Sequence, residues 1–187
     1  MGKKKILVMV LFICAFNLKA QNRYLDNLFV PKNTITRTYS HKDGEDLKLD
    51  IYEPAKDTLS KRPMIIFMHG GGFAVGSRKN EEKVKFSKMA AKKGYVAVLI
   101  SYRLTRKDKS FGCDYEASGK IETFRKAAED FLDATNYMIK NSHEFKIDTS
   151  KIIIGGSSAG AEAILQAAYN RNLLFPNGKY RDMKFAG

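Results

Sequence analysis

Three short stretches of this chain are apolar almost without interruption: "PMIIFM" (63–68), "YVAVLISY" (95–102) and "KIIIGG" (151–156). Runs of strand length, rich in β-branched residues and bounded by proline or glycine, do not alternate in and out. They are buried on both faces, the condition of interior strands in a parallel sheet. Between them the periodicity becomes helical. Residues 81–93 turn Val84, Met89 and Ala90 inward and stop at Gly94. After a polar loop (103–120), Ile121, Phe124, Ala128, Phe131, Thr135 and Met138 mark one face of a long helix at three- and four-residue steps. Residues 159–169 form an alanine-rich helix, and "MKFAG" at 183–187 reads as the beginning of another strand. Upstream, "NTITRTYS" and "LKLDIYEP" alternate apolar and polar residues across "HKDGED", whose Asp43-Gly44 is a turn signal. The expectation is an α/β fold: a mostly parallel sheet with an N-terminal antiparallel hairpin and helices on both faces. The chain has 187 residues, with 44% hydrophobic and 11% aromatic content, enough for one domain with a sizeable core.

Two glycine motifs stand at strand ends. Gly156-Ser157-Ser158-Ala159-Gly160 fits G-x-S-x-G with Ser158 at its centre; Ser157 fails that spacing. A nucleophile in a tight strand-to-helix turn needs flanking residues almost without side chains, and the turn aims a helix N-terminus at the reacting carbonyl. "HGGGF" (69–73) follows the strand 63–68, where consecutive glycines can turn backbone N–H groups toward an oxyanion. There is no G-x-G-x-x-G and no Gly-Lys-Ser/Thr, so neither dinucleotide nor phosphate-loop binding is indicated, and no cofactor is expected.

Together the motifs resemble the α/β-hydrolase superfamily, in its carboxylesterase and hormone-sensitive-lipase-like branch, from about Thr34 onward. "SYRL" (101–104) and "IDTSKIIIGGSSAG" resemble that family's exit from its fourth strand and its approach to the serine. The resemblance implies that Ser158 is the acyl-forming nucleophile. It implies that the N–H groups of Gly71, Gly72 and Ala159 line the oxyanion hole. His69, Gly70 and Phe73 would shape that loop, with Gly156 and Gly160 flanking the serine. Where relatives often carry an acid before the nucleophile, this chain has Ser157. An exported enzyme of this kind would act on small-molecule or polysaccharide-linked esters, acetylated or feruloylated plant polysaccharide among them.

A serine hydroxyl needs a base, and the family order is serine, acid, histidine. After Ser158 the only acids are Glu162 and Asp182, and no histidine follows. His41 lies in the hairpin turn, His69 in the glycine loop and His143 beyond the long helix. Two explanations stand. In one, residues 21–187 are the N-terminal, incomplete portion of an α/β-hydrolase domain whose last strands carry the acid and the histidine. In the other, the chain is a secreted binding protein on a degenerate hydrolase fold.

The N-terminus reads as a signal peptide over residues 1–20. Lys3, Lys4 and Lys5 precede a largely apolar run of 13 residues, Ile6 to Leu18, and Ala20 precedes a plausible cut. That run falls short of the roughly 20 residues needed to cross a bilayer, so no stable membrane insertion is expected. Lipid attachment at Cys14 competes, although Ile13 stands where such a signal wants a small residue. Four of the 33 basic residues lie in residues 1–20, leaving 29 against 20 acidic ones, or about +9. The lysines are interleaved with acids and carry no nucleic-acid signature, so they read as solvated faces rather than a nucleic-acid surface. Cleavage would leave Cys113 alone, and no Cys/His group has metal-ligand spacing.

Overall fold

The structure is a computed structural model that describes residues 23–109 and 116–186. The expectations for residues 1–20, Cys14 and Cys113 lie outside the described residues. The hairpin forms first in chain order: β1 (Ile35–Lys42) and β2 (Glu45–Tyr52) pair antiparallel. They are joined by Asp43 at φ 51° and Gly44 at φ 82°, the left-handed pair that matches strand twist in a two-residue turn. β2 then pairs antiparallel with β4 (Val96–Ile100). β3 (Arg62–Met68) pairs parallel with β4 on one side and with β5 (Ile147–Gly156) on the other. The sheet order is β1-β2-β4-β3-β5. Two of the three apolar runs thus become interior strands, β3 and β4, and all five residues of β4 are buried. The third run, in β5, lies at the edge of the sheet rather than inside it as its pattern predicts, since no strand pairs with its outer side among the described residues, while β2 of the hairpin is interior.

Helices cover both faces. α1 (Glu81–Lys92) packs Ala90 and Ala91 against Tyr52, Ala97 and Leu99. On the other face, α2 (Ala117–Lys140) and α3 (Ala159–Tyr169) cover Leu49, Ile51, Met64, Ile66, Val98 and Ile100. A four-residue turn of helix, α4 (Arg171–Leu174), follows.

Several details differ from the sequence reading. Met89 is 46% exposed, because the inward face of α1 runs through Ser87, Ala90 and Ala91. Ile121 is exposed as well, since α2 begins at Ala117 and its buried face is rotated onto Thr123, Ala127, Asp130 and Ala134 as well as Phe131. "MKFAG" forms no strand among the described residues; Ala186 N–H donates once to the Ile152 carbonyl of β5, at 2.8 Å.

Candidate active site

The site lies where β3 and β5 end side by side, with Met68 in register with Gly156. β5 closes at Gly156 and α3 opens at Ala159, so Ser157 and Ser158 alone make the turn. Ser158 adopts φ 49°, ψ −125°, a region that costs a non-glycine residue about 1–3 kcal/mol. Its side chain is exposed, and no hydrogen bond to it is formed among the described residues. One turn into α3, Gly160 packs on the end of β3. A Cβ there would stand 2.4 Å from the Met68 carbonyl oxygen and 2.5 Å from that of His69. The position therefore admits only glycine.

Ser157 behaves differently from its neighbour. Its Oγ accepts the Gly70 N–H at 3.0 Å, and its own N–H donates to the Met68 carbonyl at 3.2 Å. Its hydroxyl thus ties the glycine loop to the turn, which leaves Ser158 as the serine open to a substrate.

The loop itself is held from below. His69 is buried, its Nδ1–H donates to the Gly70 carbonyl at 2.7 Å, and its ring lies 4.6 Å from that of Tyr102. Tyr102 in turn donates its hydroxyl to the His69 carbonyl at 3.0 Å. Burial pushes the His69 imidazole below the usual histidine range, only partly offset by the bond to Gly70, and burial pushes the Tyr102 hydroxyl up. Both therefore stay neutral near pH 7 and keep their donor roles. Phe73 is buried at φ 60° and meets Tyr102 and Phe124 edge-on, at 6.3 Å and 5.3 Å. Gly71 adopts φ 119°, and its carbonyl accepts the N–H groups of Ala74 and Val75, both at 3.0 Å. A Cβ at Gly71 would fall 2.0 Å from the Val75 carbonyl oxygen.

These constraints leave the N–H groups of Gly71, Gly72 and Ala159 without a protein acceptor among the described residues. Ala159 also sits at the N-terminus of an 11-residue helix, where the dipole favours negative charge. An exposed hydroxyl beside donors of this kind is an arrangement that can attack a carbonyl and hold the resulting oxyanion.

The other two histidines are elsewhere. His41, on the hairpin, pairs with Asp46 at 2.9 Å on the surface. His143 is exposed before the first residue of β5, at the far end of that strand from Ser158. Glu162 and Asp182 are both exposed and contact no histidine among the described residues. No cluster of His, Cys, Asp or Glu able to hold a metal ion occurs among the described residues.

The sequence reading missed the roles of Ser157 and Tyr102. It also missed Asp130, which is fully buried and receives the Arg103 backbone N–H at 2.9 Å and its Nε at 3.0 Å. A polar residue inside an apolar helix face was the available signal for Asp130.

Comparison with known proteins finds esterases among those that the chain resembles. The family model BD-FAE matches residues 49–184. Gut esterase 1 of Caenorhabditis elegans is 30% identical over 137 residues, covering 73% of this chain and 23% of that protein. Ethyl acetate hydrolase of Pseudomonas putida is 26% identical over 140 residues, covering 72% of this chain and 39% of that protein. Among solved structures, the thermophilic esterase Est2 of Thermogutta terrifontis superimposes with a TM-score of 0.54 at 27% identity, covering 70% of this chain and 42% of its own. The chain spans less than half the length of each of these relatives.

Proposed function

Because the chain belongs to the BD-FAE family, among the carboxylesterase-like α/β-hydrolases, we propose that it carries the nucleophile and oxyanion machinery of a serine carboxylic-ester hydrolase. The observation that supports this most is the Ser158 turn: a strained, exposed serine beside three unengaged N–H groups. In the proposed reaction Ser158 Oγ bonds to the ester carbonyl carbon while the carbonyl π pair moves onto oxygen. Gly71, Gly72 and Ala159 N–H groups hold that oxyanion. Its collapse expels the alcohol, and water releases the acid from the acyl-enzyme.

The Ser158 proton needs an acceptor, and none of the three histidines hydrogen-bonds it among the described residues; His69, in the adjacent loop, donates its Nδ1–H to the Gly70 carbonyl. The proposed base and its carboxylate therefore come from outside residues 1–187, and acylation by these residues alone is slow. Loss of a triad member commonly costs on the order of a million-fold. The proposed substrates are small-molecule or polysaccharide-linked esters, met after export.

A serine-reactive fluorophosphonate, read by peptide mass, tests the assignment. Slow labelling at Ser158 that persists in Ser157→Ala and disappears in Ser158→Ala is expected. Equal labelling of wild type and Ser158→Ala would overturn it. The missing base also favours a second reading, a ligand-binding protein without turnover. It gains ground if neither this chain nor a longer form carrying a histidine after Ser158 takes the label, while a simple ester still binds.

A further inference from the structure

The end of the sheet opposite Ser158 carries a face that ester hydrolysis does not use. β3 and β4 are in parallel register, Met64 against Val96 and Met68 against Ile100. The start of β4 therefore lies about 13 Å from the end that holds the serine. At that far end α1 finishes, and the chain from Arg23 packs across it. Leu28 and Phe29 both donate their N–H groups to the Lys92 carbonyl at 2.9 Å, and Lys93 Nζ reaches the Leu25 carbonyl.

The face is apolar and basic at once. Leu25, Leu28 and Val30 are 69%, 51% and 72% exposed, and Met89 beside them is 46% exposed. Alongside runs a groove of about 680 Å³ lined by Lys32, Lys85, Lys88 and Lys92, with Asn33 and Thr34. Lys85, Lys88 and Lys92 follow helical spacing and share one side of α1. Lys85 pairs with Glu81 at 2.6 Å and Lys32 with Glu53 at 3.5 Å. Lys88 and Lys92 have no ion pair among the described residues. Asp26 is the one acid in residues 23–34.

We propose that this end of the molecule docks on an anionic phospholipid surface, the lysines meeting lipid phosphates and Leu25, Leu28, Val30 and Met89 entering the headgroup boundary. The exposed aliphatic side chains decide between occupants. A hydrated acidic polysaccharide or a nucleic acid uses the lysines but gains nothing from leucine and valine, and no aromatic residue lines the groove to stack on a base. An interface that takes both charge and apolar side chains is that of an anionic bilayer. Where the chain emerges fits the same picture. Arg23 lies at this end, and the sequence before it contains four lysines and the apolar run Ile6 to Leu18. No helix among the described residues is long and apolar enough to cross a membrane, so the contact is peripheral. Ser158, at the other end, would face away from the lipid.

The test is cosedimentation of the full chain with vesicles of phosphatidylglycerol and phosphatidylcholine, compared with phosphatidylcholine alone. Binding only to the anionic vesicles, released by about 0.5 M salt, is expected. Each lysine near such a surface is worth about fivefold in partitioning. Together Lys85→Gln, Lys88→Gln and Lys92→Gln should then weaken binding about a hundredfold, with the melting temperature unchanged. Leu25→Ser with Leu28→Ser should weaken it separately. Three results would overturn the proposal: no vesicle binding, equal binding by the lysine variant (which would assign it to residues 1–22), or binding to polygalacturonate that is insensitive to the leucine changes.

Discussion

The backbone at Ser158 is held at φ 49° in a residue that carries a Cβ, between a strand and a helix that are both fixed by packing. Strain of this kind is stored at functional turns and persists because the surroundings over-determine it. Glycine adopts this conformation freely, at some entropic cost in the unfolded chain. Ser158→Gly should therefore be more stable than Ser158→Ala, by about 1 kcal/mol or about 2–4 °C in melting temperature; equal stability would mean the turn is relaxed. His69 makes a second residue-scale case. Burial lowers its pKa in the folded protein, so below about pH 6.5 the unfolded chain binds a proton that the folded chain refuses. Stability is then full above pH 6.5 and is lost as pH falls through the depressed folded value. His69→Asn can keep a donor toward the Gly70 carbonyl without titrating. Its melting temperature should change less than that of wild type between pH 7 and pH 5.

At the scale of elements, the glycine loop is fixed by a relay that begins in α2. Asp130 holds the Arg103 backbone and guanidinium, Glu129 accepts Arg103 Nη2 at 2.7 Å, and Lys42 of β1 reaches Asp133 at 2.6 Å. Arg103 follows Tyr102, whose hydroxyl holds the His69 carbonyl, and Gly70 is held by Ser157. Asp130→Ala removes the bonds to the Arg103 backbone and guanidinium but leaves that guanidinium paired with Glu129 and Asp43. It should cost about 1.5–3 kcal/mol in a denaturant titration, whereas Ser157→Ala, which releases one N–H near the surface, should cost about 1 kcal/mol. The contrast shows what was readable in advance. Runs such as "PMIIFM" and "YVAVLI" announced interior strands because burial on both faces needs only apolar residues in succession. The glycines of the Ser158 turn announced themselves because nothing larger fits at Gly160 beside the Met68 and His69 carbonyls, or at Gly156 against the backbone of Gly160 and Ala161. The relay was not readable, because its partners are far apart in sequence and pair only after folding; Asp130 and Arg103 are separated by 27 positions. The rotation of α2 that exposes Ile121 follows from the same pairing, since Asp130 must face Arg103.

For the whole molecule, the two edges of the sheet are unlike. The β1 edge is a tight hairpin with charged and hydroxyl side chains, and Lys42 ties its end to α2. β5 is the opposite edge, where the single bond from Ala186 covers one carbonyl among the described residues. Beside it lies a groove of about 790 Å³ lined by Ile154, Ile164, Leu165 and Phe185. Leu165, Tyr169 and Leu173 stand 56%, 81% and 80% exposed along the helices that flank it. An open strand edge next to a contiguous apolar strip is a template for association. The positive net charge of the chain opposes approach of two copies, but that repulsion is screened at distances beyond about 10 Å in about 0.1 M salt, while apolar contact is not. Residues 1–187 should therefore self-associate as protein concentration rises, and more so as salt is added. Sedimentation velocity across a concentration series checks this. Leu165→Lys with Leu173→Lys should restore the monomer without changing the melting temperature, because neither side chain contributes to the buried core. If instead association at this edge is abolished by Lys88→Gln and Lys92→Gln at the far end of the sheet, the strip beside β5 is not the contact, and the two ends of the molecule are coupled in a way that the fold described above does not provide.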